Sequence, residues 1–303
     1  MIIDTETHVI YRKFLKEANP EKSLIDPATW HELNGDLLVA EMDRAKVDHA
    51  FLISYGTNDL GLYLRRLQMD PEDLISGKKY AKYFFRKYPD RFYWFSTLPD
   101  PRRKDTLTIV EEDFRGGATG VKIFPALINM NLNDTPVMRV LDLVRKNNGL
   151  VMLGLEETAP PETPSLHDLL RQLDEEVLEK FPDLRFQLNH AGCIDPLLPD
   201  AQIVFDLARK HENLFLSTAL LGYCYDDEHE YPFPNQLNRL HRLYDEVGAE
   251  RLMFGTDWPW VERYRKYVQD VDAIRRHCPF MKEEEKDKFL GLNALKFLGK
   301  NPL

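Results

Sequence analysis

The chain opens MIIDTETHVI, which spaces Asp4, Glu6 and His8 two residues apart behind an apolar lead. Side chains of an extended strand alternate between its faces, so Ile2, Asp4, Glu6 and His8 are expected on one side. Glu6 and His8 would then stand about 7 Å apart along the backbone, close enough to converge on one cation. On a strand running out into a polar loop, the pattern would carry no chemistry. On a face turned into the protein, the buried acids and imidazole need partners, and a metal ion is one. Asp257, in RLMFGTDWPW, follows an apolar run and precedes Trp-Pro. It reads as a turn former or as a buried carboxylate that ligates an ion or orients a water. His190, in FQLNHAGC, precedes a small-residue turn where an imidazole is open to approach. It can serve as general acid, general base or ligand near neutral pH.

The elements that must position these residues are legible as short apolar runs rich in β-branched and aromatic residues. They fall at 1–8, 49–54, 91–98, 119–125, 149–156, 184–190, 213–219 and 251–257. Segments with apolar recurrence at three and four separate them, among them DTPVMRVLDLVRKNN with a Pro near its first turn and NQLNRLHRLYDEVG ending at Gly. Continuous apolar strands alternating with helices predict a parallel sheet covered by helices. Eight such units in about 260 residues predict a closed (β/α)8 TIM-type barrel, one domain over 1–303, somewhat distorted. An open doubly wound sheet would want a glycine-rich phosphate loop after an early strand, and none follows the first. Irregular stretches near 9–36, 57–73 and 221–234 are expected to form a lid over one mouth. The active site of such a barrel lies at the C-terminal strand ends, which here carry Glu6, His8, Lys122, Glu156, Glu157, His190, Ser217 and Asp257.

The 303 residues are 43% apolar and 30% charged, with a net charge of -10, a globular composition that argues against nucleic acid as partner. Cys193, Cys224 and Cys278 are too few and too far apart for a disulfide framework or a zinc ribbon, which points to a reducing compartment and a cytoplasmic protein. No run approaches the ~18 apolar residues of a membrane span, and the N-terminal stretch does not read as a signal peptide.

Taken in order, the acid-x-His after the first strand, GVKIFP, NHAG, FGTDWPW and the terminal NALKFLG resemble the amidohydrolase superfamily over essentially the whole chain. The nearest likeness is to its amidohydrolase-related, aminocarboxymuconate-semialdehyde decarboxylase-like branch. The resemblance implies one divalent metal, zinc, manganese or magnesium, held by the strand 1 pair, a strand 5 His and the strand 8 Asp. It places Glu6, His8 and Asp257 at ligand positions and His190 at a catalytic acid/base or extra ligand. Glu-x-His on strand 1 is similar to the resorcylate-type decarboxylases. The chain departs from the pattern at strand 5, where Gly154 replaces the His. Alternation would turn Glu156 to the same face, so Glu156 is expected as the substitute ligand, giving an oxygen-rich site that tilts towards manganese or magnesium. The alternative is a degraded metal site with Glu156 as a loop acid.

Lys122 reads as an anchor for a substrate carboxylate, as an interior lysine paired with an acid, or as a carbamylated bridging ligand. Tyr223, Trp258 and Arg263, with Arg12, Tyr225 and Trp260, fall in the expected mouth loops. An aromatic wall with a cationic anchor there would suit a planar or cyclic carboxylate. The reading is a metal-dependent hydrolase of a small cyclic or carboxylate-bearing molecule, with Asp257 and His190 handling protons. The alternatives are a non-oxidative decarboxylase of an aromatic or unsaturated acid, and a metal-free lactonase or non-catalytic binding barrel. An exposed apolar lid edge would favour a homodimer.

Overall fold

The computed structural model of the chain describes residues 1–9, 34–53, 71–125, 128–155, 164–221, 230–263 and 265–301. Glu156 and Tyr223 lie outside the described residues, as do Arg12, Tyr225, most of the expected lid and the side chain of Arg263.

Among the described residues, eight strands form one parallel sheet in sequence order. They are β1 (Ile3–His8), β2 (His49–Ile53), β3 (Phe92–Thr97), β4 (Gly120–Ile123), β5 (Leu150–Leu153), β6 (Phe186–Leu188), β7 (Leu214–Ser217) and β8 (Leu252–Met253). Each lies within an expected run but is shorter than it, at one end or both. Strand 8 shows this best. Only Leu252 and Met253 pair with β7, and the segment beyond closes onto β1. Thr5 N–H donates to Phe254 O at 2.9 Å, Asp257 N–H to Glu6 O at 2.8 Å, and His8 N–H to Trp258 O at 2.6 Å. These bonds close the (β/α)8 barrel.

The helices between the strands include α1 (Gly35–Ala45), α2 (Pro71–Lys87), α3 (Thr106–Arg115), α4 (Thr135–Lys146), α5 (Leu166–Gln172), α6 (Gln202–Lys210), α7 (Pro234–Val247) and α8 (Tyr267–His277). Asn34 caps α1 by accepting from Asp36 N–H at 2.8 Å and Leu37 N–H at 3.1 Å. The short α9 (Glu283–Asp287) and α10 (Asn293–Leu298) end the described helices. None of the described helices is long and apolar enough to cross a membrane.

Two apolar layers hold the barrel. The larger joins the outer strand faces to the helices. The smaller fills the lower interior with Ile3, Phe51, Ile53, Phe95, Met152, Phe215 and Met253, and α10 presses Phe297 into it. The Phe297 ring lies 5.7 Å from that of Phe215 and 6.0 Å from that of Phe51. The interior is thus packed below, with the buried Gln187 of β6 in register with Met152 and Phe215, and the ionisable side chains gather towards the C-terminal mouth.

Strict alternation fails in β1. Asp4 pairs with Ala50 and Thr7 with Leu52, so three steps on β1 match two on β2. This is a β-bulge. It turns both Thr5 and Glu6 inward: the Thr5 hydroxyl donates to Ser217 Oγ at 3.3 Å or Phe254 O at 2.9 Å, and Glu6 meets Lys122 of β4 and Asn189 just after β6. Asp4, expected on the face of Glu6 and His8, sits instead on the outer side against Thr256 and Tyr267 of α8.

Candidate active site

Glu6, His8, Lys122, Asn189, His190, Ser217 and Asp257 meet at the C-terminal end of the barrel interior, each no more than 5% exposed. Five separate strand ends contribute them, which only a closed barrel brings together.

Glu6 is the hub. Its Oε1 accepts from Lys122 Nζ at 2.6 Å and also from Asn189 Nδ2. Ser217 Oγ donates to its Oε2 at 3.4 Å, and His190 Nε2 stands 3.7 Å from Oε1. Burial alone would raise this carboxyl's pKa, but the Lys122 ammonium, with His190 and His8, holds it below the usual carboxylate range. Of the three roles open to Lys122 from the sequence, the structure displays the interior lysine paired with an acid.

His8 is held through Nδ1 and turns Nε2 to Asp257. Its Nδ1 lies 3.3 Å from Ile53 O. A carbonyl only accepts, so Nδ1 carries the proton and Nε2 presents a lone pair. That lone pair faces Asp257 Oδ1 at 2.8 Å. Two buried acceptors this close call for a positive charge between them. A second proton on His8 is disfavoured, since burial and the Lys122 charge push its pKa down to about 3. A divalent cation satisfies the geometry: donor atoms of Glu6, His8 and Asp257 all lie within 4.8 Å of one another. Beside them, the buried Asn189 Oδ1 has no hydrogen-bond partner among the described residues. The residues present therefore fit a metal ion.

The two turns that carry Asp257 and His190 use left-handed backbone. Asp257 has φ 59°, and His190, Ala191, Gly192 and Cys193 run in succession at φ 52°, 47°, 82° and 61°. A Cβ on Gly192 would meet Val204 Cγ2 at 2.8 Å, so the turn packs on α6 only with glycine there. The turn sets His190 with Nδ1 3.0 Å from Ala219 O, leaving Nε2 on the Glu6 side. Trp258 is enclosed in the layer between barrel and helices, with no exposed surface. The structure thus gives it a packing position, since it follows the inward-facing Asp257 and so turns outward.

Asn189 is the site residue that the sequence reading passed over. It stood in NHAG beside the more conspicuous histidine, and a buried amide gives little signal until its partner is known.

The amidohydrolase family profile matches residues 81–300, more than half of the chain. No curated protein matches it in sequence. Several solved structures share its fold. A probable 2-pyrone-4,6-dicarboxylic acid hydrolase from Acinetobacter baumannii, with citric acid bound, superposes with a TM-score of 0.68 at 20% identity, over 98% of this chain and 99% of that one. A 5-carboxyvanillate decarboxylase from Novosphingobium aromaticivorans, with manganese and 4-hydroxy-3-methoxy-5-nitrobenzoic acid, gives 0.68 at 15% identity, over 99% and 96%. A 2,6-dihydroxybenzoate decarboxylase from Rhizobium gives 0.69 at 16% identity, over 98% of both chains. At these identities the likeness speaks for the barrel, whereas the profile match speaks for kinship: the chain belongs to the amidohydrolase family of enzymes.

Proposed function

We propose that this protein is a metal-dependent hydrolase acting on a small cyclic or carboxylate-bearing substrate. Glu6, His8 and Asp257 hold the ion, and Glu156 completes the ligand set. The observation that carries this reading is the approach of His8 Nε2 to Asp257 Oδ1 at 2.8 Å in a buried site beside Glu6. A divalent ion bound there would acidify a water and polarise a substrate carbonyl. Asp257 takes the proton of the attacking water. His190, anchored through Nδ1, accepts that proton from Asp257 at Nε2 and delivers it to the leaving group, which restores both groups. Lys122 and Asn189 hold Glu6 by Oε1, and Oε2, met only by the long Ser217 hydroxyl contact of 3.4 Å among the described residues, would be available to an ion. Tyr223 and Arg263 are assigned to the substrate.

Non-oxidative decarboxylation is the second reading, favoured by one observation: strand 1 offers a carboxylate, Glu6, where an imidazole would make a zinc-type site. Three carboxylates against one imidazole suit manganese, the ion in the 5-carboxyvanillate decarboxylase structure. Protein purified without chelator or nickel, and analysed by mass spectrometry for bound metal, tests the shared premise. About one ion per chain is expected, lost in His8→Ala and reduced in Glu156→Ala. A metal-free wild type that also takes up no added manganese or zinc would overturn it. With carboxylated lactones and hydroxybenzoic acids as substrates, incorporation of 18O from water marks hydrolysis and release of carbon dioxide marks decarboxylation.

A further inference from the structure

Asp4 lies outside the reacting centre, yet it contacts both segments that carry its ligands. Its Oδ1 accepts from Glu6 N–H at 3.1 Å and from Thr256 N–H at 3.0 Å. Its Oδ2 accepts from Thr256 Oγ1 at 2.6 Å, and Thr256 Oγ1 accepts in turn from Trp258 N–H at 3.0 Å. The group is wholly buried, with the Tyr267 hydroxyl beside it.

These bonds have a common geometric effect. At the bulge Glu6 is left unpaired with β2, its carbonyl turned to Asp257 N–H, and the Asp4 side chain accepts from its N–H. Asp257 sits in left-handed backbone between Thr256 and Trp258, and the Asp4–Thr256 network holds the residue on each side of it. Left-handed backbone is unfavourable for a residue with a Cβ and persists only when its surroundings fix it.

We infer that Asp4 is a positioning residue that locks the β1 bulge to the turn after β8 and so sets Glu6 and His8 against Asp257. The inference rests on the proposed metal reading for its purpose, but not for its test. It differs from the family-type ligand assignments because, among the described residues, Asp4 bonds to no ligand side chain and faces the outer side of the sheet against Thr256 and Tyr267.

Three variants test it: Asp4→Asn, Thr256→Val, which removes the hydroxyl at nearly constant shape, and Thr256→Ser, which keeps it. In metal-stripped, 15N-histidine-labelled protein, the His8 imidazole resonances, assigned with His8→Gln, report its position and tautomer. Manganese affinity is then measured by electron paramagnetic resonance of the free ion. Asp4→Asn and Thr256→Val are expected to shift the His8 resonances and to weaken manganese binding by about 10–100-fold, while Thr256→Ser stays near wild type. Unchanged His8 resonances and affinity in folded Asp4→Asn and Thr256→Val, with only thermal stability lowered, would overturn the inference. If the wild type binds neither manganese nor zinc, the metal reading fails by itself, and the His8 resonances still decide the role of Asp4. Should Asp4→Asn not fold, Thr256→Val and Thr256→Ser make the same comparison.

Discussion

Lys122 Nζ and Glu6 Oε1 form a 2.6 Å ion pair inside the barrel, and neither side chain is more than 1% exposed. The pair spans β4 and β1, on opposite sides of β2 and β3, so it reports the closed interior directly. Removing one partner leaves a buried charge without compensation. Lys122→Met is therefore expected to destabilise the protein by about 3–5 kcal/mol, measured by urea unfolding of the metal-free form. Lys122→Met combined with Glu6→Gln removes both charges and should recover much of that loss. Additive losses would show that the pair is not coupled as the distance implies.

Asp257→Asn separates charge from backbone. Asparagine tolerates left-handed backbone, so the turn at φ 59° should persist and the protein should keep its thermal stability. Loss of the carboxylate removes both the proposed ligand and the proposed base, and kcat/KM is expected to fall by about 10²–10⁴-fold. Activity near wild type would remove Asp257 from the chemistry.

Gly255 has no room for a side chain. A Cβ there would stand 2.7 Å from Ser217 Oγ and 3.2 Å from Thr5 Oγ1. Gly255→Ala should therefore displace Ser217 from Glu6 and cost about 1–3 kcal/mol. Calorimetry of the variant checks the stability, and manganese affinity checks the link to Glu6.

Phe297→Ala serves as the contrasting case. It opens the lower interior, where the ring packs on Phe51, Phe95 and Phe215. A loss of about 3–5 kcal/mol is expected with metal affinity retained, because the packed layer supports the barrel without touching the ligands. Equal damage to both properties would show that the two halves of the interior are not separable.

Asp270, buried on α8, gives a pH signature of its own. Burial raises its pKa to about 6 despite Arg265, whose Nη1 lies 3.2 Å away. A carboxyl with a raised folded-state pKa binds its proton more tightly when folded. Its favourable contribution is complete below the unfolded value near 3.8 and is lost as pH rises through about 6. Such a displacement is worth up to about 3 kcal/mol. Relative to wild type, Asp270→Asn should thus gain stability as pH rises from about 4 to about 6. Urea unfolding at several pH values measures this difference, and a constant difference would show that Asp270 does not titrate there.

Much of this protein could be read from order and spacing alone. Alternation of apolar runs with amphipathic segments determined the parallel barrel, because buried strands and covering helices impose different hydrophobic periods on a chain. The strand-end position of Glu6, His8, His190 and Asp257 followed from that topology, since such barrels expose chemistry at one mouth. Periodicity, however, assumes an unbroken strand. The bulge in β1 reversed the face of Asp4 while leaving Glu6 and His8 inward, and a bulge depends on the hydrogen bonds its neighbours can offer. Partners of buried polar groups also come from distant strands: Lys122 and Asn189 reach Glu6 across 116 and 183 residues of sequence. Residue types told which groups could do chemistry; only the closed barrel decided which of them face one another, because long-range polar pairing has no period in sequence.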